Sequence, residues 1–145
     1  MFRKILVATD FGDASDRALE VAVDLAQKLD ARLVLTHSYE IPSYSYPGSP
    51  LIPMVDITQS IAKAAEAGLA ASLQVARAKV PGATSVLRSG TPWREILEVA
   101  KDEACDLLVV GTHGRRGLSH ALIGSVAEKL VRVSSIPVLS VHAGR

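Results

Sequence analysis

Aromatic side chains are scarce in this chain. Phe2, Phe11, Tyr39, Tyr44, Tyr46 and Trp93 are all it has, 4% of 145 residues. That is too few for the stacking platforms that hold single-stranded nucleic acid. The formal net charge is +1 and no long basic run occurs, so no nucleic-acid partner is expected. A single cysteine, Cys105, excludes an intrachain disulfide. Its place just before an apolar run predicts a buried, inert thiol. No apolar run approaches the roughly 18 residues of a membrane span, so no membrane partner is expected. The apolar part of MFRKILVATD is too short for a signal peptide and reads as a strand, and a cytoplasmic location is expected. The four histidines, His37, His113, His120 and His142, have no metal-ligand spacing such as H-E-x-x-H. No serine stands in a G-x-S-x-G elbow, so no hydrolase triad is expected and no residue is assigned a catalytic role.

Hydrophobic residues make up 48% of the chain, enough for a real core, and the length favours one domain over 1–145. KILVAT at Lys4–Thr9 is a continuous apolar run, the pattern of a strand buried on both faces. Residues 15–29 repeat apolar positions at helical spacing through Ala18, Val21, Ala22, Leu25, Ala26 and Leu29. RLVLT at Arg32–Thr36 predicts a second strand. Glu40–Pro53 carries four prolines and Gly48 and predicts a long loop, either a binding loop or a passive excursion. A long amphipathic helix over 55–79, a short strand at Thr84–Leu87 and a helix opened by Thr91-Pro92 follow. Ile96, Leu97 and Ala100 give that helix its buried face. Asp106–Val110 predicts a fourth strand, 124–133 a helix and Ile136–Val141 a fifth strand.

Strands that alternate with helices imply a parallel sheet covered on both faces. The expected fold is α/β: an open, doubly wound five-stranded parallel sheet, Rossmann-like, with strand order 3-2-1-4-5. Ligands of such sheets bind beyond the carboxyl ends of the strands, where strand order reverses. Two strands end in unusual chemistry, the first in Thr9-Asp10 and the fourth in Gly111-Thr112-His113-Gly114. The switch point is expected between them.

The fourth strand runs into GTHGRRGLSHALIGS, residues 111–125. Glycines let backbone N–H groups approach a phosphate, and a helix N-terminus adds unpaired donors and partial positive charge. Neither G-x-x-x-x-G-K-[ST] nor G-x-G-x-x-G is present. The pattern is G-x2-G-x9-G-S, with Gly111, Gly114 and then Gly124-Ser125. Each residue also has a plainer use. Asp10 can cap the turn after it, Gly111 and Gly114 can be turn glycines, Arg115 and Arg116 can be surface charge, and His37 can be structural.

The glycine pattern, the element order and the segments KILVATDFGDASDRALEVAVDLA, RLVLTHSYE and GTPWREILEVAKDEACDLLVVGTHGRRGLSHALIGSVAEKLVRVSSIPVLSV resemble the ATP-binding branch of the universal stress protein family. The resemblance covers nearly the whole chain. It implies a stress-response or signalling protein that binds an adenine nucleotide, ATP first, with little or slow hydrolysis; an AMP or cyclic AMP binding module, or a slow ATPase or nucleotidyl transferase, stays open as the alternative. Mg²⁺ or Mn²⁺ is expected with ATP, as triphosphates usually require. The resemblance implies that Asp10 bonds the ribose or base side, that Ala8 and Thr9 line the base pocket, and that Ser38 stands next to the adenine. It places Gly111 beneath the ribose, with Thr112 after it. His113, Gly114 and Arg115 would edge the phosphates, and Gly124, Ser125 and Val126 would contact them. The family often has proline at the position of Ala8 and valine at that of Ser38. The resemblance also implies a homodimer paired through the last strand, Pro137–Val141.

Overall fold

The computed structural model describes residues 1–42, 52–112 and 123–144. Five strands and four helices alternate along it. They are β1 (Lys4–Ala8), α1 (Asp13–Leu29), β2 (Arg32–Tyr39), α2 (Ile52–Arg77) and β3 (Thr84–Ser89). The order continues with α3 (Pro92–Asp102), β4 (Leu107–Gly111), α4 (Ser125–Val133) and β5 (Val138–Val141). All pairings are parallel and the sheet order is β3-β2-β1-β4-β5, as expected.

Central β1 has a neighbour on each side. Leu6 stands level with Val34 of β2 and with Leu108 of β4. Alternate residues of these strands feed two cores. Ile5, Val7, Leu33, Leu35, Leu107 and Val109 face α1 and α2, where Ala18, Ala22, Ala26 and Leu69 cover them. Leu6, Ala8, Val34, Leu108 and Val110 face α3 and α4, where Ile96, Val99, Ala127 and Leu130 cover them. Burial on both faces is why β1 and β4 read as unbroken apolar runs.

The predicted elements differ from the observed ones mainly at their ends. α1 starts two residues earlier than 15, because Gly12 takes the N-cap position in extended backbone. β2 runs three residues beyond Thr36, since His37, Ser38 and Tyr39 keep their ladder with Leu87, Arg88 and Ser89 of β3. Polar side chains hid this extension, although the backbone pairing does not depend on them. β5 begins at Val138, but the Pro137 carbonyl still accepts from Leu108 N–H at 3.0 Å. Thr91 takes the N-cap position of α3 without a side-chain cap bond. Most of the Glu40–Pro53 loop lies outside the described residues.

Cys105 is buried, as its position predicts. Burial pushes its thiol up to about 11, against a weaker downward pull from Lys4.

Candidate functional site

From central β1 the chain steps outward through β2 to β3, then returns past β1 to add β4 and β5 on the other side. The reversal falls between β1 and β4, so the connections after these strands diverge and leave a cleft at their carboxyl ends. Ala8 at the end of β1, Thr9 and Asp10 just after it, and Val110 and Gly111 of β4 line it. His37 and Ser38 of β2 form one side. Pro92 and Ile96 of α3 stand opposite the N-terminus of α4, with Gly124, Ser125, Val126 and Ala127. The enclosed space is about 160 Å³. A dry cavity of roughly 150 Å³ accepts one benzene ring, so this cleft has room for a flat ring system, and anything larger must extend out through its mouth.

The turn after β1 is built around Asp10. Its Oδ1 accepts from the Gly12 N–H at 2.9 Å and from the Ser15 hydroxyl at 2.8 Å. Thr9 is fixed from both sides. Its N–H donates to the Thr36 carbonyl at 2.9 Å, and its hydroxyl accepts from the Phe11 N–H at 3.0 Å. His37 Nδ1 lies 2.7 Å from the Thr9 carbonyl. A carbonyl only accepts, so Nδ1 carries the proton, and in the neutral ring Nε2 is left as an acceptor. The plain and the ligand-related readings of Asp10 are therefore compatible: Oδ1 holds the turn, and Oδ2 has no hydrogen bond among the described residues. His37 is structural, as expected, through Nδ1.

Three helix N-termini reach the cleft, those of α1, α3 and α4, and the chemistry of α1 and α4 differs. α1 has Asp13 and Asp16 in its first turn, and Asp10 sits just before it. Loss of hydration, then the charges of Asp13, Asp10 and Glu20, holds the Asp16 carboxyl above its ordinary value. That end repels an anion. α4 begins with Gly124 at the N-cap, without a side-chain cap bond, and then Ser125, Val126 and Ala127. The first N–H groups of a helix have no partner within it. Here those of Ser125, Val126 and Ala127 belong to residues that line the cleft, a suitable place for phosphate oxygens, with one acidic residue in the first turn against two in that of α1. Glu128 is the first acidic residue on that helix.

Of the twelve residues expected at the site, Ala8, Thr9, Asp10, Ser38, Gly111, Gly124, Ser125 and Val126 line this cleft. Thr112 does not. It is fully buried, donates its N–H to the Val141 carbonyl at 2.9 Å and accepts the Gly124 N–H on its own carbonyl. It ties the end of β4 to β5 and to the start of α4. His113, Gly114 and Arg115 lie outside the described residues. Gly124, not Ser125, takes the N-cap of α4. Ser15, His37, Pro92, Ile96, Val110 and Ala127 are lining residues that the sequence reading left out. Topology carried the missing signal, because the helix start after every strand lies at the same edge of a parallel sheet.

The profile of the universal stress protein family matches residues 1–142. The chain belongs to the universal stress protein family. Universal stress protein YxiE of Bacillus subtilis (strain 168) is 34% identical over 148 residues, covering 98% of this chain and 100% of that protein. Universal stress protein UspA from Lactobacillus plantarum superposes with a TM-score of 0.83 at 25% identity, over 96% of this chain and 97% of that one. A universal stress protein crystallised in complex with cAMP is 27% identical, with a TM-score of 0.71 and 99% of both chains covered. Universal stress proteins thus share with this chain the whole architecture that forms the cleft.

Proposed function

We propose that the cleft binds an adenine nucleotide, ATP first, and that the protein is a nucleotide-dependent stress-response or signalling module with slow turnover. The observation that carries this reading is the pairing of a ring-sized, largely apolar recess with the N-terminus of α4, whose Gly124, Ser125, Val126 and Ala127 line it. The recess, walled by Ala8, Ile96, Val110 and Ala127 beside Ser38 and His37, suits a purine. Asp10 retains Oδ2 for a ribose hydroxyl or a base amine. Gly124, Ser125 and Val126 suit the phosphates, with Gly114 and Arg115 contributing from the segment after β4. The solved relative bound to cAMP supports an adenine nucleotide and keeps cyclic AMP as the second reading.

A divalent cation, Mg²⁺ or Mn²⁺, would be carried on the triphosphate oxygens and water. Among the described residues no group of three His, Cys, Asp or Glu side chains stands ready to hold one alone. We further propose that two copies pair along β5, which forms one edge of the sheet.

Calorimetric titration with ATP, AMP and cyclic AMP tests the ligand, with ATP expected to bind most tightly. Gly124→Trp tests the phosphate position. Gly124 has φ −59°, which any residue adopts, so the indole is tolerated by the backbone but fills the space before the helix N-terminus. Loss of ATP binding in a folded variant is expected, and unchanged affinity would overturn the assignment.

A further inference from the structure

Phe11 has a backbone conformation that its residue type disfavours. Its φ is +65°, in the left-handed region where L side chains crowd the backbone. It lies between Asp10 and Gly12, the residue whose N–H meets Asp10 Oδ1. The ring is absent from the cleft lining and packs instead against the core between the sheet, α1 and α2. Its centroid is 4.3 Å from that of His37. Against α2 it sits on Gly68. A Cβ built on Gly68 would come 2.7 Å from two atoms of the ring and 3.0 Å from a third. Glycine inside an exposed helix weakens it relative to alanine, so this notch has a cost that the packing of the ring offsets.

We propose that the Phe11 ring, seated in the Gly68 notch and against His37, is a latch that holds the strained Asp10–Gly12 turn and so presets the Asp10 carboxylate for the nucleotide. Phe11 is a positioning residue, since it acts through Asp10 and lines no part of the cleft. The turn is also held by the Phe11 N–H on the Thr9 hydroxyl and by the Gly12 N–H on Asp10 Oδ1 and Ser15 Oγ. If the ring leaves its seat, the positive φ loses the packing that offsets its strain, and these bonds alone oppose its return to negative values. The Phe11–Gly12 peptide then rotates, the Gly12 N–H leaves Asp10 Oδ1, and the carboxylate loses one of its two fixed donors. The same ring touches α2 and lies beside His37, so a shift of α2 would reach both Asp10 and the β2 side of the cleft.

The affinity part of this inference rests on the nucleotide reading of the cleft; the state of the turn does not. Gly68→Ala is the probe, because it adds one methyl group where the ring lies and raises helix propensity. In ligand-free protein it should speed amide hydrogen exchange at Gly12, with exchange in β1 unchanged. It should weaken ATP binding by about tenfold, the scale of one strained backbone residue. The double variant Phe11→Gly with Gly68→Ala should recover much of that loss, because glycine adopts positive φ freely and no ring remains to be displaced. Thermal melts establish that each variant is folded, and Phe11→Leu, which keeps an apolar plug, should fall between wild type and Gly68→Ala. Unchanged Gly12 exchange in Gly68→Ala overturns the latch, whether or not ATP binds. Loss of affinity that persists in the double variant overturns it as well, since the effect would then come from α2. Failure of the wild-type protein to bind ATP would overturn the ligand reading instead, and Gly12 exchange would still decide the latch.

Discussion

Gly111, the last residue of β4, lies against the first turn of α1. A Cβ on it would come 2.6 Å from the carbonyl carbon of Ala14 and 2.8 Å from the Ser15 nitrogen. These are backbone atoms, so no rotamer change can relieve the contact. The glycine is needed for the close approach of helix to strand, whatever else it does at the ligand. Gly111→Ala should therefore cost about 1–3 kcal/mol of stability by overpacking. Because α1 carries Ser15 to Asp10, the same variant should also weaken nucleotide binding. Urea denaturation of the ligand-free protein checks the first effect, and a midpoint equal to wild type would refute this role of Gly111.

That contact also marks how far the sequence could be read. The alternation of apolar runs with helical spacing gave the sheet and its order, because burial on both faces leaves a one-dimensional trace. Gly111, Gly124 and Asp10 were legible as candidates, and the structure puts them in the lining of one cleft. The reason for Gly111 was not legible, because it depends on α1, nearly a hundred residues earlier in sequence. Ser15 was equally hidden: its role comes from a helix start two residues earlier than the apolar spacing indicated. Phe11 looked like an ordinary apolar residue, since neither a positive φ nor a notch in a distant helix leaves a local pattern. Thr112 stands apart from the other candidates, outside the cleft lining. Its place inside the motif suggested a site residue, and its hydrogen bonds make it a tie between β4, β5 and α4.

Cys105 should give the stability a dependence on alkaline pH. Its thiol has an ordinary value of 9.0 and is pushed up to about 11 in the folded protein, chiefly by burial. The folded state holds this proton more tightly than the unfolded state does. Its contribution is therefore fully present below pH 9 and is lost as pH rises through 11. Denaturation midpoints at pH 8 and pH 11 should fall further in wild type than in Cys105→Ala, a comparison that removes the titration of other groups. Iodoacetamide at pH 8 should also label the denatured chain much faster than the folded one. Equal labelling rates would contradict the burial.

The β5 edge should mediate self-association. β5 pairs with β4 on one side and, among the described residues, with no strand on the other. Leu139 on it is 37% exposed, an apolar side chain on an open edge, which natural sheets usually cover or charge. Leu139→Lys should shift a dimer toward monomer in light scattering at micromolar concentration, with nucleotide affinity per chain retained. A wild-type protein of monomer mass under those conditions would end the proposal.

ATP should be held far longer than it is turned over. Hydrolysis needs a water held in line with the γ-phosphate and a group to position or deprotonate it. Two titratable side chains line the cleft among the described residues, Asp10 and His37. Asp10 accepts from Gly12 and Ser15 through Oδ1, and His37 donates to the Thr9 carbonyl. Asp10 follows β1 and His37 belongs to β2, whereas the phosphates are assigned to the N-terminus of α4. His113 is the remaining candidate from the sequence, and its neighbours in sequence include no carboxylate to orient it. Turnover should thus lie well below the roughly 10 s⁻¹ of a typical enzyme. A single-turnover assay with labelled ATP measures it directly. Fast phosphate release that disappears in His113→Ala, with binding intact, would make the protein an ATPase and move the chemistry to the segment after β4.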